Sequence, residues 1–227
     1  MTIGFRILER KQKIELKTAV KFLSIPVANV SDCMWRLTAG GTTLRPFHKS
    51  GQMAGPALTV KSRPGDNLML HKAIDLAEPG DVIVCDAGGD LTNSLMGELM
   101  LKHALKRGVG GFVLNGAVRD MDAFLEANLP VFAAGVSHRG PYKDGPGEIN
   151  VSVAIEGMVI EPGDLVLGDW DGVLSVPIQE VEGILQKAMC KQSAELEDRA
   201  KIEAEEWDRS WVDRTLIERG CKSPLFS

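Results

Sequence analysis

Asn115-Gly116-Ala117-Val118-Arg119-Asp120 sets a guanidinium beside a carboxylate directly after an apolar run, Phe112–Asn115. An arginine can grip a carboxylate or an enolate oxygen with a forked pair of donors, and a neighbouring carboxylate can hold a hard cation. In an open α/β sheet, ligands bind in the crevice at the carboxyl ends of the strands. Gly116 would let the backbone turn tightly there. The same six residues also suit an ordinary helix start, with Asp120 favoured by the helix dipole and Arg119 in a surface ion pair.

Upstream lies Ser94-Leu95-Met96-Gly97-Glu98-Leu99-Met100. Gly97 inside an apolar helical pattern costs stability unless the backbone must approach something closely. If a helix begins near Gly97, the free amides of Glu98, Leu99 and Met100 could cradle an anion. The plainer alternative is a helix interior in which Gly97 admits a close neighbour. Asp86, Asp90, Glu98 and Asp120 fall near successive strand ends. Mg²⁺ suits such a set, since it takes oxygen ligands, keeps several waters and needs only one or two protein carboxylates.

Other chemistries find little support. His48, His71, His103 and His138 show no metal-ligand spacing; His71 and His103 read as structural or surface positions within helices, and His138 sits in a Gly/Pro loop. There is no GxSxG for a nucleophile elbow and no GxGxxG or P-loop for a nucleotide. Lys61, Lys102 and Lys106 lack an apolar, pKa-lowering setting for Schiff-base work. If the substrate is a 2-oxo acid, the metal route is favoured by default.

The elements that must position these residues alternate. A helix is expected from Arg10 to about Leu23, then a second one capped by Asn29–Asp32 and running through Leu37. A strand follows at Met53–Lys61, a helix from Asp66 to Leu76, and a buried strand at Val82–Cys85. Ser94–Arg107 reads as helix, Phe112–Asn115 as strand, Val118–Ala127 as helix and Val131–Ala134 as strand. This alternation favours βαβ units and a partly parallel sheet. Ser137–Asn150 reads as a Gly/Pro-rich loop. Short β segments are expected at Val151–Ile155, Met158–Ile160, Leu165–Leu167 and Val173–Val176. From Ile178 to Arg219 the chain is charged and helix-prone, with Trp207 and Trp211 at helical spacing. The expected organisation is an α/β domain over 1–177 and a helical oligomerisation arm over 178–227.

Composition limits the partners. The 227-residue chain carries a net charge of −5, with 44% hydrophobic and 25% charged residues. Those values suit a globular protein and advertise no basic surface for nucleic acid or an anionic membrane. Cys33, Cys85, Cys190 and Cys221 have no CxxC spacing, so neither a disulfide scaffold nor a zinc cluster is expected. Charges occupy the start of the chain where a signal peptide needs an apolar core, which points to the cytoplasm.

Taken in order, GDVIVCDAGGD, GELM, GGFVLNGAVRD and PGDLVLGDWDGVLSVP resemble the RraA-like family. The similarity runs from about Val30 to Pro177. One branch of that family holds class II 4-hydroxy-4-methyl-2-oxoglutarate/4-carboxy-4-hydroxy-2-oxoadipate aldolases that also decarboxylate oxaloacetate. That branch is marked by an acidic residue, twenty intervening residues, then Arg-Asp. Here Glu98, usually Asp in the family, precedes Arg119-Asp120 at that spacing. Asn115 stands where many relatives have Asp.

The resemblance implies a β-β-α sandwich of the phosphohistidine-swivelling type, assembled as a homotrimer or homohexamer. It implies Asp120 as the ligand of Mg²⁺ (or Mn²⁺), with Glu98 helping through water. Arg119 would contact the oxo or enolate oxygen of a 2-oxo acid substrate, and the amides of Gly97, Glu98, Leu99 and Met100 would bind its carboxylate. Glu203, Glu205 and Glu206 are candidates to complete a neighbouring subunit's site. A regulatory protein of the RraA type, or a divergent lyase or hydratase, is the alternative.

Overall fold

The computed structural model describes residues 2–38 and 40–223. Two compact units divide it, Met1–Ala188 and Met189–Ser227. Within the first, strands β1 (Phe5–Ile7), β2 (Arg45–Pro46), β3 (Met53–Ser62), β4 (Val82–Met96), β5 (Gly111–Val118), β6 (Val131–Val136) and β7 (Gly147–Ile149) share a sheet in the order β1-β7-β3-β4-β5-β6-β2. Its centre, β3-β4-β5-β6, is parallel and runs in chain order. The crossovers are helices α3 (Leu68–Leu76), α4 (Glu98–Arg107) and α5 (Met121–Ala127). Two more helices, α1 (Leu16–Ala19) and α2 (Val27–Cys33), lie between β1 and β2 in the chain.

Sequential strand order sends every crossover the same way, so the three helices cover one face. Leu70 and Ile74 of α3, Leu101 and Ala104 of α4 and Phe124 of α5 pack there on Leu58, Ile83, Phe112 and Leu114. The other face, with Val82, Val84, Val113 and Phe132, is covered by a second β layer. That layer is made of β8 (Val153–Ile155), β9 (Met158–Ile160), β10 (Leu165–Asp169) and β11 (Gly172–Val176). The result is the β-β-α sandwich. Covered on both faces, the parallel strands carry continuous apolar runs rather than an alternation. A third cluster joins Phe22, Val30, Leu167 and Leu174 to Val181, Ile184 and Leu185 at the start of α6 (Val181–Glu203).

Several expected boundaries are corrected. The helix expected over 10–23 is helical only from Leu16, ending in a 3-10 turn over Val20–Ser24. The stretch before it has no regular structure and is tied down by Arg10, which is bonded to Asp81 at 2.8 Å and to the Ala57 carbonyl. Helix α2 starts at Val27 behind Pro26, so Asn29–Asp32 lie inside it rather than capping it, and it stops at Cys33 rather than Leu37. The helix expected from Ser94 begins at Glu98, because Ser94–Met96 remain paired to β5. The helix expected from Val118 begins at Met121. The 137–150 loop contributes β7.

The C-terminal stretch forms α6 and α7 (Ser210–Glu218), broken over 204–209. Trp207 therefore does not share a helix with Trp211; the Arg209 guanidinium lies 4.7 Å and 5.9 Å from their ring centres. Glu203 ends α6, while Glu205 and Glu206 lie in the break. Residues 224–227 of the expected arm lie outside the described residues. No helix among the described residues is long and apolar enough to cross a membrane.

Candidate active site

Met96 pairs with Val118 at the last step of the β4–β5 ladder, so Gly97-Glu98 and Arg119-Asp120 leave the sheet side by side. The twenty residues between Glu98 and Arg119 are the rest of α4, the turn over 108–110 and the return strand β5. The Arg119 amide extends the pairing by donating to the Met96 carbonyl at 3.0 Å. The ladder reaches this point irregularly. Asp86 faces Asn115, so the span 86–96 of β4 is matched by only 115–118 of β5. The surplus is thrown out as bulges, with Gly88 and Gly89 at positive φ.

Asp120 stands at the start of α5 with φ 60° and ψ 47°, in the left-handed region. That conformation swings its side chain away from its own helix, and its Oδ2 accepts the Glu98 amide of α4 at 2.9 Å. Asp120 thus caps the neighbouring helix, satisfying one of its orphan donors. Arg119 Nε lies 3.6 Å from the same oxygen. Gly97 is required beneath them, since a Cβ there would overlap Asp120 Oδ2 and come within 3.0 Å of Arg119 Nε.

These residues line a cavity of about 100 Å³, room for a small organic acid. Gly97, Leu99, Met100, Arg119 and Asp120 all border it, joined by Asn67, His71, Ser94 and Lys143. Leu99 and Met100 occupy the first turn of α4, where amides lack intrahelical acceptors. Of the four amides expected to cradle an anion, that of Glu98 is already taken by Asp120. The Glu98 carboxylate is not part of the lining; it pairs with Lys102 one turn along α4 and raises that lysine's pKa.

The other two acidic candidates are committed elsewhere. Asp86 Oδ1 accepts from Asn115 Nδ2 at 2.9 Å and from the Gly88 amide. Asn115 is thereby a partner to Asp86 rather than a cavity residue. Asp90 accepts from Thr92 and Asn93, and the Thr92 hydroxyl holds its carboxyl below the usual range. Among the described residues, no three His, Cys, Asp or Glu side chains converge as a metal cage. Asp120 alone of the four carboxylates borders the cavity.

His71, read from sequence as a structural or surface position, proves to be a lining residue. It lies one turn into α3, whose N-terminal end faces the same strand ends. Burial lowers its pKa, and the Lys143 charge lowers it further. Asn67, just before α3, donates to the Leu95 carbonyl at 2.8 Å and to Met100 Sδ at 3.2 Å. Sequence reasoning marked neither residue for the site. His138 is exposed and apart from the lining, and His48 is buried against Phe132 and Trp170. Cys85 is buried, which pushes its thiol pKa up, and Cys190 and Cys221 are exposed thiols.

The sequence model of the RraA-like family, described as Aldolase/RraA, matches residues 27–175. This chain belongs to the RraA-like family. The matched span of this RraA-like chain runs from the start of α2 almost to the end of β11 and includes every lining residue. A curated relative from Halalkalibacterium halodurans, named "Putative 4-hydroxy-4-methyl-2-oxoglutarate aldolase", is 42% identical over 179 residues, 79% of this chain and 85% of its own. An uncharacterized Pseudomonas syringae protein of solved structure superposes with a TM-score of 0.77 at 24% identity, over 85% of this chain and 95% of its own. The RNA-processing inhibitor RraA of Thermus thermophilis, as that structure names its source, gives 0.62 at 28% identity over 67% and 92%. This chain shares its fold with both solved structures.

Proposed function

We propose that this chain is a divalent-metal-dependent lyase. It would cleave a carbon–carbon bond of a 4-hydroxy-2-oxo acid to release pyruvate, and would decarboxylate oxaloacetate. The observation that carries this reading is the pairing of Arg119 and Asp120 over the open first turn of α4. The name of the 42%-identical relative supports the same reaction class.

The residues suit a metal of the Mg²⁺ type. Asp120 is a half-exposed carboxylate whose contacts both fall on Oδ2, leaving Oδ1 available. One such carboxylate with several waters is the mode in which Mg²⁺ binds sites of this kind. When bound, the ion supplies Lewis acidity at the keto oxygen of the substrate. The remaining work falls to the chain. The Leu99 and Met100 amides and the α4 dipole bind the carboxylate of the pyruvyl half. The Arg119 guanidinium meets the negative charge that develops on the keto oxygen as the bond breaks.

A proton-relaying role for Glu98 requires its carboxylate to leave Lys102. An exposed i,i+4 pair contributes only about 0.3–0.5 kcal/mol, so that exchange costs little. The proposal includes a cytoplasmic homotrimer or homohexamer, with Glu203, Glu205 or Glu206 serving a neighbour's site.

The test is pyruvate release from oxaloacetate and from 4-hydroxy-4-methyl-2-oxoglutarate, with Mg²⁺ and with EDTA, against the metal-only background. Mg²⁺-dependent release above background supports the lyase. No release from either acid favours a regulatory protein of the RraA type, a second reading that rests on the likeness to the Thermus inhibitor.

A further inference from the structure

Strands β4 and β5 pair in unbroken register from Val82 opposite Gly111 to Asp86 opposite Asn115. Beyond that rung ten residues of β4 lead to Met96, while three of β5 lead to Val118. Those two ends carry Gly97-Glu98 and Arg119-Asp120. The alignment of the site therefore depends on how the surplus of β4 is stowed.

The stowing starts at Asp86. One oxygen of that carboxylate, Oδ1, accepts both the Asn115 side-chain amide at 2.9 Å and the Gly88 backbone amide at 3.0 Å. The last regular rung and the first turn of the bulge thus share one acceptor. The bulge then folds back over β5: a Cβ on Gly89 would lie 3.4 Å from Asn115 Oδ1, and one on Gly116 would overlap Leu95. Asp90 fixes the far side by accepting the Thr92 and Asn93 amides. Ser94, which borders the cavity, resumes the pairing opposite Ala117. A hydrogen bond to an ionised acceptor is stronger than a neutral one, so the Asn115–Asp86 contact is the firm point of this stretch.

Lys61 of β3 is the register partner of Asp86, and Glu148 of β7 faces Lys61 and pairs with Arg6. Asp90 lies in the bulge, and Cys85 belongs to the core on the helical face. At this level β6 offers Ala133 and Ala134, and β8, which packs on β4, brings Val153, Ala154 and Ile155. The cross-strand donor to Asp86 is the amide of Asn115, a group that does not titrate.

We propose that Asn115 and Asp86 are positioning residues for the reaction, the pair that sets where β4 leaves β5 and where it rejoins, and that the amide at 115 makes this setting independent of pH. The effect on turnover rests on the lyase reading; the effect on the β4 bulge stands apart from it.

The test replaces the amide by an acid. In Asn115→Asp two carboxylates meet at hydrogen-bond distance, where they hold together only by sharing a proton. The full chain is assayed with Mg²⁺ for pyruvate release from oxaloacetate above the metal-only background, as wild type, Asn115→Asp and the double swap of Asp86→Asn with Asn115→Asp. Assays at about pH 5 and about pH 8 place the shared proton on and off. Hydrogen exchange of the 86–97 peptide, read by mass spectrometry, follows the bulge without reference to turnover. At about pH 5, Asn115→Asp should match wild type within about two-fold in kcat/KM. At about pH 8 it should fall about ten-fold or more below wild type, with faster exchange of the peptide, as the proton leaves and the strand ends shift. The double swap exchanges donor and acceptor, and should follow wild type at both pH values. An equal loss at both pH values, or no loss at either, would overturn the proposal, as would a folded double swap that does not recover. Failure of Asn115→Asp to fold at the lower pH would overturn it as well; if only the double swap fails to fold, the pH dependence of Asn115→Asp decides. No pyruvate from wild type would remove the lyase reading, and exchange of the 86–97 peptide would then decide the positioning claim alone.

Discussion

Asp120 Oδ2 accepts the Glu98 amide at 2.9 Å from a backbone held at φ 60°, so the residue that begins α5 caps α4. The left-handed region costs a non-glycine residue roughly 1–2 kcal/mol, and Asp is among those that visit it most readily. The strain turns a carboxylate across the gap between two strand ends, where it meets a guanidinium and a helix N-terminus.

Asp120→Gly separates strain from function. Glycine relieves the left-handed cost but deletes a charged hydrogen bond that contributes about 1.5–3 kcal/mol. The two effects oppose each other, so urea unfolding should place the variant within about 2 kcal/mol of wild type. Turnover should nevertheless vanish. An active Asp120→Gly enzyme would remove Asp120 from the site.

Gly97→Ala tests the close approach. Its φ of −142° suits any residue, so backbone strain is not at issue. The added methyl must displace Asp120 Oδ2 and crowd Arg119. A misplacement of about 1 Å costs on the order of 10²-fold in rate. We expect kcat/KM to fall by about that factor with a melting temperature within a few degrees of wild type.

Metal binding can be read without turnover. A ligand at 100 times its Kd stabilises the folded state by about 2.7 kcal/mol. Saturating Mg²⁺ should therefore raise the melting temperature of wild type, EDTA should reverse the rise, and Asp120→Asn should show none. An equal rise in Asp120→Asn would place the ion elsewhere.

His71 reports on Lys143. Burial lowers its pKa most and the Lys143 charge adds to it. Removing that charge in Lys143→Met should move the His71 titration upward, as read by NMR of the imidazole protons. Because the folded-state value is depressed, the stability linked to His71 is complete above the usual 6.5 and is lost as pH falls through the folded value. A His71 titration unmoved by Lys143→Met would mean the two groups are not electrostatic neighbours.

The sequence alone determined the βαβ grammar, the apolar strands at Met53, Val82, Phe112 and Val131, and the acid–Arg–Asp spacing across α4. The grammar and the strands follow from local periodicity and turn chemistry, which the chain carries in neighbouring residues, and the acid–Arg–Asp spacing was marked by the resemblance to the RraA-like family. It also left Gly97 open between a helix start and a helix interior. Only the tertiary structure decided that choice, because pairing to β5 keeps Ser94–Met96 in the sheet and delays α4 until Glu98. The same holds for Asp120, whose side chain serves a helix twenty-two residues earlier in the chain. His71 and Lys143 could not be found from spacing. Their meeting depends on which strand ends share an edge and on how a loop of the 137–150 segment is tied to α3. Those are contacts between distant residues, and a one-dimensional pattern holds no record of the distance between them.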